Sequence, residues 1–109
     1  MANSILHRIP VVAGLAYIER TRRIQGRVTA TLSAERENRY FLHAIAVHVD
    51  GGKVGYVAPE VARHYYEPVL AWSGAPLTCP GRCGSASDHH TSGVEMLLDF
   101  TDLPLQPVD

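Results

Sequence analysis

The sequence predicts a mainly β domain with one or two short helices, an α+β fold whose strands curl into a small OB-like barrel. Three observations predict it. Val28, Ala30 and Leu32 alternate with Thr29 and Thr31, the period-2 pattern of a half-buried strand. Asp50-Gly51-Gly52 sits between two apolar runs and supplies the positive φ angles a tight hairpin needs. Strand-like segments outnumber helical ones and follow closely in sequence, which favours an antiparallel sheet that closes on itself. At 109 residues the chain holds one domain. We divide it into an N-terminal arm (1–8), a single domain (9–103) and a C-terminal tail (104–109).

Ile9-Pro-Val-Val-Ala-Gly-Leu-Ala-Tyr17 reads as the first strand, with Pro10 at an edge where its missing N–H does least harm. Residues 18–26 are Arg-rich, end on a glycine and read as an exposed loop or hairpin arm. The alternating strand follows, and the charged segment 34–39 bridges to the hairpin, whose arms are 44–49 and 53–57. Pro59-Glu60 opens a helix, since proline suits the first helical position and an acid complements the dipole. Val61, His64, Tyr65, Pro68, Val69 and Trp72 share its inner face, Pro68 kinks or splits it, and Gly74 ends it. Residues 75–92, rich in Pro, Gly, Ser and His, read as loop with a short strand at 77–79. Residues 93–100 form the last strand, and the proline-punctuated tail is extended.

Hydrophobic content of 46% against 19% charged residues argues against disorder. No apolar run approaches the roughly 18 residues of a membrane span, and no basic segment followed by an apolar core marks the start. A cytoplasmic location and no membrane partner are therefore expected. Two cysteines without an export signal give little reason to expect a disulfide. The net charge of −1 conceals asymmetry: residues 1–39 hold seven Arg against three Glu, whereas residues 84–109 hold five acids and no base. Nine of the ten basic residues are Arg, which favours bidentate contacts with phosphate or carboxylate. Both ends can equally be solvated surface.

No arrangement points to catalysis. A Gly-rich phosphate loop, a metalloprotease helix motif and a nucleophile elbow are all missing, and Asp88-His89-His90 reads as a polar loop. The chain is expected not to be an enzyme and to need no cofactor. Cys79 and Cys83 with His89 or His90 offer thiolates and imidazoles at spacings zinc accepts, although adjacent histidines rarely both reach one ion. The simpler reading makes Cys79 a buried strand-end residue and Cys83 a loop residue. A third constellation is aromatic and basic: Tyr17, Tyr40 and Tyr56 at strand ends, with Arg20, Arg22, Arg23 and Arg39 near the first two. Aromatic rings stack on unpaired bases while Arg neutralises the phosphates between them. Tyrosines in β proteins are also often half-buried core.

Asn38-Arg-Tyr-Phe-Leu-His-Ala-Ile-Ala-Val47, then Asp50-Gly-Gly-Lys-Val-Gly-Tyr-Val-Ala-Pro-Glu60, resembles the signature of the HIRAN family. That signature runs approximately N-P-Y-D-x-N-A-I-x-V, a turn, then V-G-Y/H-V-P-R-E leading into a helix. Upstream, Val11-Val-Ala-Gly-Leu-Ala-Tyr17 is similar to the family's opening strand. The match covers about residues 38–60, and the order of elements extends it over 9–100. The resemblance implies a compact OB-like barrel that captures the 3′-hydroxyl end of single-stranded DNA, a domain bacteria also carry as a stand-alone protein. By the same resemblance, Tyr17 and Tyr40 match positions that stack or frame the terminal bases, and Tyr56 lines the same pocket. Phe41 stands where the family has an Asp that accepts the terminal hydroxyl, and phenylalanine has no acceptor. His43 replaces the family's Asn and can substitute if its ring faces the pocket. Ala16 and Pro59 stand where the family often carries basic residues.

The leading expectation is a non-catalytic single-stranded DNA or DNA-end binder using Tyr17, Arg20, Arg22, Arg23, Arg39, Tyr40, His43 and Tyr56. The alternative is a protein-interaction or homodimerisation module that keeps the barrel without the DNA pocket, with Tyr66 and Trp72 as anchors. A zinc-stabilised domain is the third.

Overall fold

The computed structural model describes residues 6, 8–12, 17, 23–85 and 94–108. Among the described residues the elements delimited are, in order, β1 (Ile9–Val12), β2 (Gly26–Ala34), β3 (Ile45–Val49), β4 (Gly52–Val57), α1 (Pro59–Ala71), β5 (Leu77–Ser85) and β6 (Val94–Leu98). All neighbours are antiparallel, and the sheet closes into a barrel in the order β1-β4-β3-β2-β5-β6. The predicted class, mainly β with a small barrel and a short helix, is what the chain forms. Among the described residues, no helix is long and apolar enough to cross a membrane.

Alternation sets which side chains fill the interior. Ala30 and Leu32 of β2, Ile45, Val47 and Val49 of β3, and Leu77, Cys79 and Cys83 of β5 are buried. Val54 and Val57 of β4, Met96 and Leu98 of β6 and Ile9 of β1 join the lining, and α1 adds Ala62, Tyr65 and Val69. The Tyr65 ring meets the edge of Phe100 at 5.0 Å between centroids, a favoured aromatic geometry. At the β3–β4 hairpin, Asp50 (φ 54°) and Gly51 (φ 82°) adopt the left-handed backbone of a type I′ turn, as the Asp-Gly pair predicts.

Several expectations are corrected. The first strand stops at Val12, not Tyr17: residues 13–16 lie outside the described set, and Tyr17 carries helical backbone. Its Pro10 is not on a sheet edge, because β1 lies between β4 and β6. β4 ends at Val57, and the next amide, Ala58 N–H, donates to Pro10 O at 3.0 Å. The rung opposite Ala58 therefore keeps its carbonyl bond, and the absent proline N–H falls where the neighbouring strand has ended.

Residues 77–85 form a nine-residue strand where sequence predicts mostly loop. β2 flanks it over Gly26–Leu32 and β6 over Val94–Leu98. Pro80 is tolerated for the same reason as Pro10: its carbonyl accepts Asp99 N–H at 2.9 Å, one residue past the end of β6. Cys83, expected in a loop, is buried in this strand. The last strand ends at Leu98 and not at Phe100.

α1 runs unbroken through Pro68 and ends at Ala71, where the extended backbone of Trp72 caps it two residues before Gly74. Proline has no N–H to give to the carbonyl four residues back, His64 O. That carbonyl accepts Val108 N–H instead at 2.8 Å, while His64 Nδ1 contacts Val108 O at 2.8 Å. The missing helical bond thus becomes the anchor for the C-terminal segment. The buried face is Ala62, Tyr65 and Val69, rotated from the predicted one: Val61, His64 and Pro68 are half-buried and Trp72 is exposed.

Candidate functional site

The barrel brings aromatic side chains together around Tyr56. Tyr56 sits in β4 opposite Val12 of β1 and Ala46 of β3. Its ring lies 5.2 Å from that of Phe41, tilted by 43°, and 6.4 Å from that of Tyr17, edge-on at 69°. Beside these rings is a cavity of about 100 Å³ lined by Val12, Phe41, Leu42, His43, Tyr56 and Pro59, among others. Two of the three expected tyrosines, Tyr17 and Tyr56, therefore meet. The third place is taken by Phe41.

Tyr40 is not at a strand end but in the loop of residues 35–44, and it is 90% exposed. The reason lies in Asn38. Its side-chain oxygen accepts the amides of Tyr40 (2.7 Å) and Phe41 (2.8 Å), an Asx-type turn that fixes both residues. With those amides tied down, Phe41 contacts Tyr56 while Tyr40 and Leu42, 84% exposed, project from the surface; Phe41 itself stays 44% exposed. The loop is closed at its base by Glu35 N–H donating to Ala44 O at 2.9 Å.

A polar network holds the loop to the hairpin. The Tyr56 hydroxyl donates to Glu35 Oε1 (2.8 Å) and accepts from Lys53 Nζ (3.0 Å) and Asn38 Nδ2 (3.4 Å). Asn38 Nδ2 also donates to Glu35 Oε1 at 3.1 Å, and Lys53 pairs with the other Glu35 oxygen. Lys53 Nζ lies 5.0 Å from the Tyr56 ring centroid, within cation–π range. Partial burial pushes the Glu35 carboxyl up, but the bonds from Lys53, Asn38 and Tyr56 outweigh it, and its pKa falls below the usual value. The hydrogen bond to Glu35 raises the Lys53 ammonium above its usual range, and burial raises the Tyr56 phenol. At neutral pH the network is an ion pair bridged by a neutral phenol.

Of the other expected residues, His43 joins the rings and the two described arginines are exposed. Arg39 is exposed beside Tyr40, and Arg23 is exposed in the turn before β2. Arg20 and Arg22 lie outside the described residues. His43 lines the small cavity, and its ring packs edge-on against Tyr66 at 5.4 Å, linking the loop to α1. Tyr66 is half-buried by this packing. Trp72 is 37% exposed, with Nε1 donating to Ala75 O at 2.8 Å.

The two cysteines are buried in the barrel wall. Cys79 and Cys83 both point into the barrel, four residues apart on one strand face. Burial, reinforced by the Asp99 carboxylate, pushes the Cys79 thiol up to about 12, and burial also raises Cys83. Both are thus held as thiols in the metal-free protein. His89 and His90 lie outside the described residues, and among the described residues no three potential ligands cluster.

Sequence reasoning missed Glu35, Asn38 as a turn-former, Phe41 as a platform ring and Lys53. The Asx signal at Asn38 was present, two and three residues ahead of the amides it captures. Comparison of the chain with protein-family models, curated proteins and solved structures finds no match in any of the three.

Proposed function

We propose that this chain is a non-catalytic, HIRAN-like module that binds single-stranded nucleic acid. The observation that carries the reading is the Phe41–Tyr56 ring pair, backed by Tyr17 and partly open to solvent, with Tyr40 and Arg39 exposed beside it. Stacking against such rings is worth about 1–3 kcal/mol per base and tolerates any sequence, since every base has a π-face. Arg39 lies where it can meet phosphate. The small cavity has His43 and the Tyr56 hydroxyl as its polar side-chain groups, and that hydroxyl is already engaged with Glu35, Lys53 and Asn38. We therefore assign strand binding chiefly by stacking, with His43 the cavity side chain that can meet a strand end.

Fluorescence anisotropy with short labelled single-stranded oligonucleotides tests this. Affinity should fall steeply with salt, and Phe41→Ala and Tyr40→Ala should each weaken it by about tenfold. Both side chains are substantially exposed, so loss of binding is not loss of fold. No salt-sensitive binding at tens of micromolar protein overturns the proposal. Leu42, apolar and 84% exposed, favours the second reading, a protein-docking or self-association surface. Light scattering separates the two: dissociation of an oligomer by Leu42→Ser supports the second, and a monomer at all concentrations removes self-association.

A further inference from the structure

The barrel's outer face carries a basic groove that sequence reading did not identify. Arg27 of β2 and Arg82 of β5 stand directly opposite each other, both exposed and both pointing outward. Like charges at opposed positions on neighbouring strands destabilise a sheet, and nearby anions relieve that repulsion. Arg8, exposed just before β1, joins them around a groove of about 480 Å³, with Asp99 as the acidic group facing it. Three guanidiniums against one carboxylate leave the groove positive, and guanidinium geometry matches phosphate oxygens.

The register connects this groove to the aromatic platform. Arg27 lies opposite Arg82, Arg82 opposite Leu97, and Leu97 opposite Pro10, one outward row across four strands. Pro10 and Val12 share the outer face of β1, and Val12 lies opposite Tyr56. Leu97, Pro10 and Val12 thus form an apolar floor between the guanidiniums and the rings. With strands about 4.8 Å apart and residues rising about 3.3 Å, the path from Arg82 to Tyr56 is about 20 Å. At about 3.4 Å per stacked nucleotide that is about six nucleotides.

We infer that the Arg8–Arg27–Arg82 groove binds the backbone phosphates of the same single strand whose bases stack on Tyr56 and Phe41. This rests on the proposed nucleic-acid reading and extends it to a directional track, with phosphates gripped at one end and bases at the other. The track explains why a stacking platform near acidic Glu35 can hold a polyanion.

The test compares oligothymidylates of three and twelve nucleotides against the wild-type protein, Arg27→Gln/Arg82→Gln and Phe41→Ala. Only the longer strand spans both ends. The double arginine variant should weaken twelve-nucleotide binding by about tenfold and reduce the slope of log K against log salt by about 1.4, the value for two phosphate contacts on a single strand. It should leave three-nucleotide binding unchanged, and its thermal midpoint should not fall, since repulsion is removed. Phe41→Ala should weaken both lengths. Equal loss on both lengths for the arginine variant, or an unchanged slope, overturns the track while leaving the platform in place. Failure of the wild-type protein to bind either strand overturns the platform reading, and the track falls with it.

Discussion

Glu35→Gln isolates the electrostatics that hold the loop of residues 35–44 to the barrel. The carboxylate accepts from Lys53, Tyr56 and Asn38, and the Glu35 and Lys53 side chains are 26% and 27% exposed. Glutamine has the same shape but no charge, and one of its two acceptor positions becomes a donor facing another donor. A well-desolvated hydrogen bond to a charged group contributes about 1.5–3 kcal/mol, while exposed ion pairs contribute about 0.2–1 kcal/mol. For a site about a quarter exposed, a loss of about 2 kcal/mol at pH 7 follows. In a domain of this size that lowers the thermal midpoint by about 10 °C. The gap should depend on pH with a fixed sign. Glu35 has a folded-state pKa below the usual 4.5, so its stabilisation is complete above that value and is lost as pH falls through the folded value. Urea unfolding of both proteins at several pH values measures this. The gap should be full at pH 7 and close at strongly acidic pH as the wild-type carboxyl protonates. A gap that stays constant across the range, or one below about 0.3 kcal/mol at pH 7, refutes the argument.

Asn38→Ala removes the acceptor for the Tyr40 and Phe41 amides; it should cost about 1 kcal/mol of stability and, on the proposed function, weaken oligonucleotide binding further than that loss explains. Comparing affinity at a temperature where both proteins are fully folded checks it, and unchanged affinity counts against a preset loop. Cys79 and Cys83 should resist thiol-specific reagents in the native protein at pH 8 and react on unfolding, because burial holds both thiols protonated; rapid native labelling contradicts the inward placement. Pro68→Ala restores a helical amide aimed at His64 O, in competition with Val108 N–H. Hydrogen exchange at Val108 should then accelerate while the helix is stabilised by about 1 kcal/mol; unchanged protection of Val108 contradicts the exchange of partners.

What the sequence disclosed and what it hid follow from the range of the interactions involved. The Asp50-Gly51 turn is local chemistry, and the alternation of residues 28–32 is one strand's own pattern, so both were readable. β5 was not. Pro80, Gly81 and Gly84 signal loop, and the ladders that make the segment a strand come from β2, some fifty residues earlier, and from β6. Arg82 was therefore invisible as a partner of Arg27. At the site, Tyr17 and Tyr56 were legible as aromatic residues, but their meeting is a contact between positions far apart in sequence. That Phe41, and not Tyr40, is the ring against Tyr56 was not legible in the sequence. Neighbouring residues in a loop have no fixed alternation, and which ring contacts Tyr56 is fixed only once Asn38 captures the two amides.

The way the loop is held bears on what it does. A segment that served only to connect β2 to β3 could be shorter, since the strands it joins are already adjacent. Here the connection is drawn out, closed at its base by Glu35 and Ala44, and braced by a carboxylate, an ammonium, an amide and a phenol meeting at one point. Ordering those side chains costs conformational entropy that the fold has already met before any ligand arrives. The bracing also leaves Tyr40 and Leu42 projecting into water, a placement that hydrophobic burial alone disfavours. A preset backbone presenting exposed rings is what lowers the entropic cost of stacking a base or docking a partner. The arginine groove then separates those two ligands, because on the proposed track a single strand needs both the arginines and the rings, whereas a protein docked on Tyr40 and Leu42 has no need of Arg27 and Arg82.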